Sequence, residues 1–480
     1  MDKYEVVIGL EVHAQLLTKS KLFCGDSAAF STDPNTHISP VTLAHPGTLP
    51  RMNSKAIEYA IKLGLALHCD IEQTNYFARK NYFYPDLPKG YQVSQHTTPI
   101  CRNGFVRIRT GDEERDIRLN RIHIEEDAGK SLHDADGQYT SIDLNRAGVP
   151  LLEIVTEPGI RSSDEAFAYI TELRKLVTWL GICDGNMEEG SMRCDANISI
   201  RLKGEKKLGT RVEVKNLNSI RNVKRAVDVE VERLIGITER GEQILQETRS
   251  YDADRNSTFS LRTKEDADDY RYFPEPDLTP FKISDAYLSG IKNSLPVLPE
   301  ALKKRYTEEF HLSDYDASVI CDDKAQAYYF EELTRHCRNY KAAANWLLGP
   351  VKSHLNDSNT GYEGFSLRPQ QLASLISLVD DGKISFGNAS TKILSVLLND
   401  PRKQPLEAAT ELNLLQENDS SFIEQWVDDA IAGMPDKVAE YKKGKKGLIG
   451  LFAGEVKKRS KGKADMHLVN ELLNKKLNNV

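Results

Sequence analysis

The sequence has no run of about 18 uninterrupted apolar residues, the length that a membrane-spanning helix requires. Its seven cysteines contain no CxxC pair, which predicts reduced thiols rather than a disulfide framework or a zinc finger. The first residues, MDKYEVVIGLEVH, differ from a signal or transit peptide because they are acidic and enter a predicted strand at once. Together these absences predict a cytoplasmic protein that does not associate with a membrane.

The glycine-rich motifs by which many proteins hold nucleotides are also missing. The segment EDAGKS resembles the end of a phosphate-binding loop, but the first glycine of that loop would fall at Ile124. The sequence contains no dinucleotide fingerprint, no HExxH zinc motif and no GxSxG nucleophile motif. An enzyme that uses ATP without these motifs has to bind it through metal ions on carboxylates and through cations on a sheet.

Length and charge predict several domains with different surfaces. The 480 residues are too many for one hydrophobic core, so two or three domains are expected. The net charge is −7, but residues 437–480 contain 12 Lys and Arg against 4 Asp and Glu, a balance of +8 that leaves −15 for the preceding residues. A basic end on an acidic body predicts contact with a polyanion, and a solvated charged helix is the alternative.

Three segments alternate apolar and polar residues as half-buried strands do: VVIGLEVHAQL, RIHIEED and VPLLEIVTE. Glu11 and His13 share the polar face of the first segment, and Glu125 and Glu153 lie among Ile, Leu and Val in the others. A carboxylate in such surroundings costs free energy unless a metal ion, a cation or hydrogen bonds compensate it. Any one of these strands alone is explained by an ordinary solvated face. The three together predict a magnesium site formed by Glu11, His13, Glu125 and Glu153.

The segment ARKNYFYPDLPKGYQVSQH interleaves cations with aromatic residues. Pro85, Pro88 and Gly90 predict a loop, because they interrupt regular structure. Such a composition can stack a base and hold phosphate, or it can pin a long loop by packing. We predict that Lys80 and Lys89 of this segment, with Arg201 of a later strand, bind the phosphates of ATP.

The remaining chain predicts an α+β multidomain protein. MRCDANISIRL and TRVEVKN alternate strictly and predict antiparallel strands with one polar face, while capped helical patterns cover residues 53–68, 162–181 and 219–235. From about residue 296 the sequence consists of short helical segments. We predict a domain built on a large antiparallel sheet (1–293), a helical domain (294–405) and a small, basic, all-α tail domain (406–480).

Seven segments carry a resemblance to a known family: GLEVHAQL, ARKNYFYPDLPKGYQVSQ, RIHIEEDAGKSLH, DLNRAGVPLLEIVTEP, MEEGSMRCDANISIR, VEVKNLNS and DDYRYFPEPDL. With the basic tail, they closely resemble the B subunits of aspartyl/glutamyl-tRNA amidotransferases over essentially the whole chain. The resemblance implies that the first domain is a cradle related to glutamine synthetase. It also implies that ATP phosphorylates the side-chain carboxylate of misacylated Glu-tRNA(Gln), Asp-tRNA(Asn) or both, and that ammonia then displaces phosphate.

The resemblance assigns the metal positions of the family to Glu11, His13, Glu125 and Glu153. We predict that three of these, Glu11, Glu125 and Glu153, are also catalytic. The facing of the strands adds Arg193 and Asp195 as catalytic candidates, with Glu126 and Asp127 beside them. The expected cofactors are ATP and Mg²⁺.

The resemblance also implies partners. The chain contains nothing like the Ser/Lys amidase signature of the family's glutaminase subunit, so it should not produce its own ammonia. We therefore expect a heterotrimer with an A subunit that supplies ammonia and a small C subunit.

Some family members carry a zinc site, and its positions correspond here to Cys24, Asp26, Ser39 and Thr42. One thiol among four ligands does not form a structural zinc site, so we expect no zinc.

The tail is expected to hold tRNA phosphates, reading the shape of the tRNA more than its sequence. The residues are Lys442, Lys443, Lys445, Lys446, Lys457, Lys458 and Arg459.

Two other functions fit parts of the sequence. The first is a tRNA-binding adaptor without chemistry, in which the carboxylates merely belong to a polar sheet face. The second is an unrelated carboxylate-metal ligase that acts on a free amino acid, which would leave the basic tail unexplained.

Overall fold

Helices and strands of a mixed α+β fold occupy the chain in this computed structural model, which describes residues 3–133, 137–263, 270–416, 420–460 and 463–479. The chain divides into two compact units, residues 1–298 and 299–480. The division lies close to the boundary predicted near residue 293, and the further boundary near residue 405 stays a prediction. Asp268 and Asp269 of the DDYRYFPEPDL motif lie outside the described residues.

The strands lie in the first unit, and the described ones are β1 (Tyr4–Gln15), β2 (Asp70–Ile71), β3 (Thr74–Asn75), β4 (Ala78–Asn81), β5 (Tyr91–Ser94), β6 (Cys101–Arg102), β7 (Phe105–Thr110), β8 (Glu113–Glu126), β9 (Lys130–His133), β10 (Thr140–Asp143), β11 (Pro150–Thr156), β12 (Met192–Leu202), β13 (Val212–Leu217), β14 (Glu247–Asp252), β15 (Ser257–Thr263), β16 (Phe273–Pro274) and β17 (Phe281–Lys282).

The helices of the first unit are α1 (Ser54–Ala66), α2 (Ser163–Trp179), α3 (Ile220–Glu239) and α4 (Asp285–Asn293). Those of the second unit are α5 (Pro299–Glu308), α6 (Asp314–Ile320), α7 (Lys324–His336), α8 (Tyr340–Trp346), α9 (Lys352–Asp357), α10 (Pro369–Asp380), α11 (Phe386–Asn388), α12 (Leu394–Asn399), α13 (Pro405–Glu411), α14 (Ser420–Ala432), α15 (Pro435–Lys442), α16 (Ile449–Arg459) and α17 (Met466–Asn479). None of the helices in the described ranges combines the length and the apolar character needed to cross a membrane.

A ten-stranded sheet organises the first unit, in the order β15-β14-β13-β12-β1-β11-β8-β6-β2, with β7 paired to β8. Its neighbouring strands are antiparallel except for the parallel pair β13 and β14. β1 lies at the centre, between β12 and β11. The sequence therefore predicted both the large sheet and the predominance of antiparallel pairs.

One face of this sheet is apolar and packs against α1, α2 and α3. Leu10 and Val12 of β1 and Leu152 and Ile154 of β11 are fully buried in this core. The alternation of the strands places their polar residues on the opposite face, as the sequence predicted. The helix boundaries also follow from local signals, because the Ser162 hydroxyl accepts a hydrogen bond from the Glu165 backbone N–H and so caps α2.

The prediction of a single loop over ARKNYFYPDLPKGYQVSQH is wrong at both ends of the segment. β4 and β5 pair with each other, with Arg79 opposite Val93, and β16 adds a third strand. Pro85, Pro88 and Gly90 interrupt only the connection between β4 and β5. Lys80 consequently lies on a strand.

The second unit is helical, as predicted. Its last part has a hydrophobic core of its own, in which Ile423 and Val427 of α14 meet Phe452 of α16 and Leu473 of α17. The helix predicted over AAANWLLGPVKSHL contains a π-helical turn at Leu347–Val351, where Pro350 provides no N–H for the regular hydrogen-bond ladder.

The two faces of β11 differ in burial, which predicts that substitutions on them lower stability by different amounts. We expect Ile154→Ala to lower the free energy of unfolding by about 2–5 kcal/mol, since it leaves a cavity in the core. Val155→Ala on the other face should cost about 1 kcal/mol or less. Urea unfolding can be followed by Trp179 fluorescence after Trp346 and Trp426 are replaced by Phe. Equal effects of the two variants would contradict the assignment of the faces.

Candidate active site

A row of charged side chains crosses four neighbouring strands on the polar face of the sheet. His13 of β1 lies opposite Glu153 of β11 on one side and opposite Arg193 of β12 on the other. Glu153 in turn lies opposite His123 of β8. Side chains directly opposite each other on antiparallel strands have their Cβ atoms about 4.5–5.5 Å apart. The register therefore forces an imidazole, a carboxylate and a second imidazole into contact.

Glu11 and Glu125 complete this cluster. His13 Nε2 lies 3.4 Å from Glu153 Oε2, 3.6 Å from Glu125 Oε1 and 3.8 Å from Glu11 Oε1. His123 Nε2 lies 3.4 Å from both Glu125 Oε2 and Glu153 Oε2. The structure thus brings together all four residues predicted to bind the metal, and it adds His123. We call these five residues the carboxylate cluster.

The pKa values in the cluster show how the buried charges compensate each other. Burial alone would lower the pKa of His13, but Glu153, Glu125 and Glu11 outweigh it and raise the pKa to about 9. His123 follows the same pattern beside Glu153 and Glu125, and its pKa also rises to about 9. Burial would raise the pKa of Glu153, but both imidazoles hold it well below its usual value. Burial and the charge of Glu153 raise the pKa of Glu11 to about 7, against the lowering effect of His13.

The cluster fits a hard divalent cation. One ligand atom each from His13, Glu125 and Glu153 lie within 4.8 Å of one another, as do ligand atoms of Glu11, His13 and Asp195. Octahedral ligands about 2.1 Å from Mg²⁺ are about 3.0 Å apart when adjacent and about 4.2 Å apart when opposite. The observed separations of 3.4–3.8 Å fall between these values. Carboxylate oxygens are the preferred ligands of Mg²⁺, whereas the imidazoles are less typical.

Four residues of the carboxylate cluster line a polar cavity of about 330 Å³: Glu11, His123, Glu125 and Glu153. Four cationic residues also line this cavity: Lys80, Arg121, Arg211 and Lys215. Lys80 lies over the Tyr270 ring at 4.9 Å, and Tyr272 stacks on His96 at 4.0 Å in the same wall. A cavity lined by carboxylates, cations and aromatic rings suits a phosphorylated, base-containing ligand.

The predicted phosphate-binding cations are not all in this cavity. Lys80 lines it. Lys89 instead donates to the buried Glu126 at 2.6 Å, and its ammonium lies 4.1 Å from the centre of the Phe23 ring. Arg201 donates to Glu5 at 2.6 Å, six residues before Glu11 on β1. The structure therefore places Arg201 near the other end of the strand.

Arg193 and Asp195 flank the cluster and have partners of their own. Arg193 donates to Asp127 at 2.9 Å, and Asp127 also accepts from Gln15 at 2.5 Å. Burial would raise the pKa of Asp127, but Arg193 and Arg146 keep it low. Asp195 accepts from Lys215 at 2.6 Å, which contributes to the raised pKa of Lys215 against the effect of burial. These ion pairs orient Arg193 and Asp195 next to the residues predicted to bind the metal.

The amino-acid sequence matches known proteins over nearly its whole length. Residues 6–289 match the family model described as the GatB/GatE catalytic domain, and residues 328–477 match that of the GatB domain. The B subunit of the aspartyl/glutamyl-tRNA(Asn/Gln) amidotransferase of Syntrophotalea carbinolica is 48% identical over 476 residues, which are 99% of each chain. Proteins of the same name from Nitratidesulfovibrio vulgaris and Trichlorobacter lovleyi are 47% and 48% identical and are covered over at least 99% of their length.

The chain belongs to the family of amidotransferase B subunits. The resemblance drawn from the sequence motifs is thereby confirmed, and the chain is a subunit of an enzyme of the amidotransferase class. The shared region is essentially the whole chain, so it includes every element that positions the carboxylate cluster.

The four positions that correspond to a zinc site in some family members are close together. Thr42 donates a hydrogen bond to Asp26 and lies 3.5 Å from Cys24 Sγ, and Ser39 also hydrogen-bonds to Asp26. Burial raises the pKa of the Cys24 thiol, which disfavours the thiolate that zinc requires. One thiol with oxygen neighbours does not match a structural zinc site.

The seven basic residues predicted to hold tRNA are all exposed in the second unit. Lys442, Lys443, Lys445 and Lys446 precede α16, whereas Lys457, Lys458 and Arg459 form its last turn. Eleven helical residues span about 16 Å, so the seven residues form two groups rather than one patch. Lys446 donates to Asn478 at 2.9 Å, and Arg459 donates to Glu455 at 2.9 Å.

Sequence reasoning missed His123 as a member of the cluster. The signal was present, because His123 lies between Arg121 and Glu125 on the same face of RIHIEED. Lys215, Tyr270 and Tyr272 were also missed, because only the fold brings them into this cavity.

We expect Mg²⁺ to stabilise the first unit, because a cation that binds only the folded state adds about 2.7 kcal/mol at 100 times its Kd. The midpoint of thermal unfolding should rise by about 5 °C or more. The rise in the unfolding midpoint should be larger at pH 9 than at pH 7. Protons on His13, whose pKa is about 9, compete with the cation more strongly at the lower pH. Glu153→Gln should abolish the rise, and Glu5→Gln on the same sheet face should retain it. An equal rise in both variants would place the cation elsewhere.

Proposed function

We propose that the chain activates the side-chain carboxylate of misacylated Glu-tRNA(Gln), Asp-tRNA(Asn) or both with ATP, and then converts it to the amide with ammonia. The observation that carries this proposal is the carboxylate cluster, which lies in a cavity lined with cations in a member of the amidotransferase B family. The names of the relatives, which specify an aspartyl/glutamyl-tRNA(Asn/Gln) amidotransferase, support the choice of substrate.

The reaction takes two balanced steps. A carboxylate oxygen of the substrate forms a bond to the γ-phosphorus of ATP while the bond between that phosphorus and the β,γ-bridging oxygen breaks, which releases ADP. The nitrogen of ammonia then forms a bond to the acyl carbon, the bond from that carbon to the phosphate oxygen breaks, and a proton passes from nitrogen to phosphate. The first step is needed because an ionised carboxylate is a poor electrophile.

In this mechanism the cavity mainly positions the reactants and neutralises their charge. Glu11, His13, Glu125 and Glu153 would hold Mg²⁺, with His123 orienting Glu125 and Glu153 through the contacts of 3.4 Å. When bound, Mg²⁺ supplies positive charge at the phosphates of ATP. Lys80 lies over Tyr270 in the cavity wall, where its ammonium can contact a phosphate. Arg193 and Asp195 position the neighbouring groups through Asp127 and Lys215.

The proposed assembly is a heterotrimer in the cytoplasm. An A subunit would provide ammonia from glutamine, because this chain lacks an amidase signature, and a C subunit would complete the complex. The designation of the relatives as B subunits supports an assembly of this kind. We also propose that the sheet domain is related to glutamine synthetase, which its large, mainly antiparallel sheet with a carboxylate-lined cavity supports. We expect the complex to contain no zinc at Cys24.

The two groups of basic residues at the ends of α16 are proposed to bind tRNA phosphates. All seven are exposed, and long flexible side chains suit contacts that follow the backbone of an RNA. In this proposal one misacylated tRNA binds both parts of the chain. Its phosphates contact the basic residues of the tail, and its aminoacyl group enters the cavity of the first unit.

The central test is Glu125→Gln in the complex assembled with its A and C subunits. We expect cleavage of ATP that depends on misacylated tRNA to fall by about 10²–10³, because the variant removes a charge that contacts the metal. Glu114→Gln, an exposed position on the same strand, is the matched control and should retain activity. Undiminished cleavage in Glu125→Gln would favour the adaptor without chemistry.

A second test addresses the tail. Replacing Lys457, Lys458 and Arg459 by Gln should weaken tRNA binding by about tenfold or more and flatten its dependence on salt. Replacing the group before α16 (Lys442, Lys443, Lys445 and Lys446) should have the same effect. The control replaces three exposed cations of the first unit, Lys206, Lys207 and Arg255. Unchanged affinity and salt dependence in both tail variants, measured by fluorescence anisotropy, would exclude this role.

A further inference from the structure

Arg121 occupies the wall between two cavities. It lies on β8 two residues before His123 and on the same face, so its Cα is about 6.8 Å from that of His123. Its side chain lines the cavity of the carboxylate cluster and also a smaller polar cavity of about 210 Å³. His96 borders both cavities, and Arg102 and Asn120 line the smaller one.

The guanidinium of Arg121 is incompletely satisfied. Its Nε atom is buried and makes no hydrogen bond within the described part of the chain. Three other arginines of the first unit have close partners, since Arg193 contacts Asp127 at 2.9 Å, Arg201 contacts Glu5 at 2.6 Å and Arg79 contacts Glu275 at 2.8 Å. Burying a polar atom of a cation without a partner costs free energy, so such an arrangement indicates a ligand that restores the hydrogen bonds.

The nearby carboxylates do not fill this role. Glu125 and Glu153 direct their oxygens at the imidazoles of His13 and His123, at 3.4–3.6 Å. Glu157 in the smaller cavity accepts a hydrogen bond from Asn120 at 2.7 Å. A guanidinium presents its donors in a planar fork that matches two oxygens of a phosphate. The position beside the cluster therefore suits a phosphate group rather than a side chain of this protein.

We propose that Arg121 binds the oxygens of the phosphoryl group that passes from ATP to the substrate carboxylate. This inference rests on the proposed function and deepens it. The transferred group must lie next to the carboxylate cluster, two residues along the strand from Arg121. The nearest phosphate of the tRNA is separated from the reacting carboxylate by the amino acid and the terminal ribose, so it lies farther away.

Arg121 would act without changing its protonation. Its N–H groups donate to the non-bridging oxygens, which stay on phosphorus while the bond to the ADP oxygen breaks and the bond to the carboxylate oxygen forms. No proton moves in this step. Negative charge on these oxygens is stabilised by a donor that is held in place beforehand, which is the arrangement that accelerates phosphoryl transfer.

The test compares Arg121→Gln and Arg121→Lys with Arg118→Gln in the assembled heterotrimer. Arg118 is the matched control because it lies on the same strand and is exposed. The first readout is calorimetric binding of ADP with Mg²⁺, alone and with aluminium fluoride, which mimics the transferred phosphoryl group. In the wild type and in Arg118→Gln, aluminium fluoride should tighten ADP binding by about tenfold or more. Arg121→Gln should lose this gain while its affinity for ADP alone changes less than about threefold, and Arg121→Lys should retain part of it.

The second readout is the kinetics of ATP cleavage. Arg121→Gln should lower kcat by about 10²–10³ with little change in the KM for misacylated tRNA. A raised KM for tRNA at unchanged kcat would overturn the proposal and assign Arg121 to a tRNA phosphate. A retained gain from aluminium fluoride would also overturn it. Glutaminase activity of the complex and thermal unfolding verify assembly, and Arg121→Lys serves if the Gln variant does not fold.

ATP cleavage by the wild type and by Arg121→Gln distinguishes failure of the proposed function from failure of the role of Arg121. If the wild-type complex does not cleave ATP when misacylated tRNA is present, the proposed function is wrong, and this inference fails with it. If the wild type cleaves ATP and Arg121→Gln does so equally well, only the inference about Arg121 is wrong.

Discussion

Buried carboxylates and imidazoles on three neighbouring strands of the first unit have to compensate each other's charge. Glu125, Glu153 and His123 are almost fully buried, and His13 lies 3.8 Å from Glu11 and 3.6 Å from Glu125. Isolated charges in such a place would be strongly unfavourable, so each carboxylate has to face an imidazole or a cation. The raised pKa values of both histidines and the lowered pKa of Glu153 reflect this compensation.

The apolar face of the same strands makes this arrangement possible. Because side chains alternate with a period of two, a shift of one residue would move Leu10, Val12, Leu152 and Ile154 out of the core. The packing of α1, α2 and α3 on that face thus fixes the register that aligns His13, Glu153 and His123. One alignment of strands thus fixes both the hydrophobic core on one side of the sheet and the carboxylate cluster on the other.

The sequence predicted which side chains share a strand face, but not which strands pair with each other. Alternation alone identified Glu11, His13, Glu125 and Glu153, since each is a polar residue among apolar ones on its own strand. Alternation does not reveal which strands are neighbours or how they align, and so Arg201 was predicted near phosphate although it lies opposite Glu5. His123 was overlooked although it shares a strand face with Arg121 and Glu125, because its contact with Glu153 depends on the pairing of β8 with β11. The segment with Pro85 and Pro88 forms strands at its ends because long-range pairing with β16 outweighs its local signals.

In the proposed reaction, the substrate carboxylate becomes an acyl phosphate in the cavity of this chain. The most direct measurement uses Glu-tRNA(Gln) or Asp-tRNA(Asn) with ¹⁸O in the side-chain carboxylate, in the complex with ATP, glutamine and the partner subunits. One ¹⁸O atom should appear in the inorganic phosphate released with each amide formed. Release of the label into water, with none in phosphate, would contradict the proposed reaction.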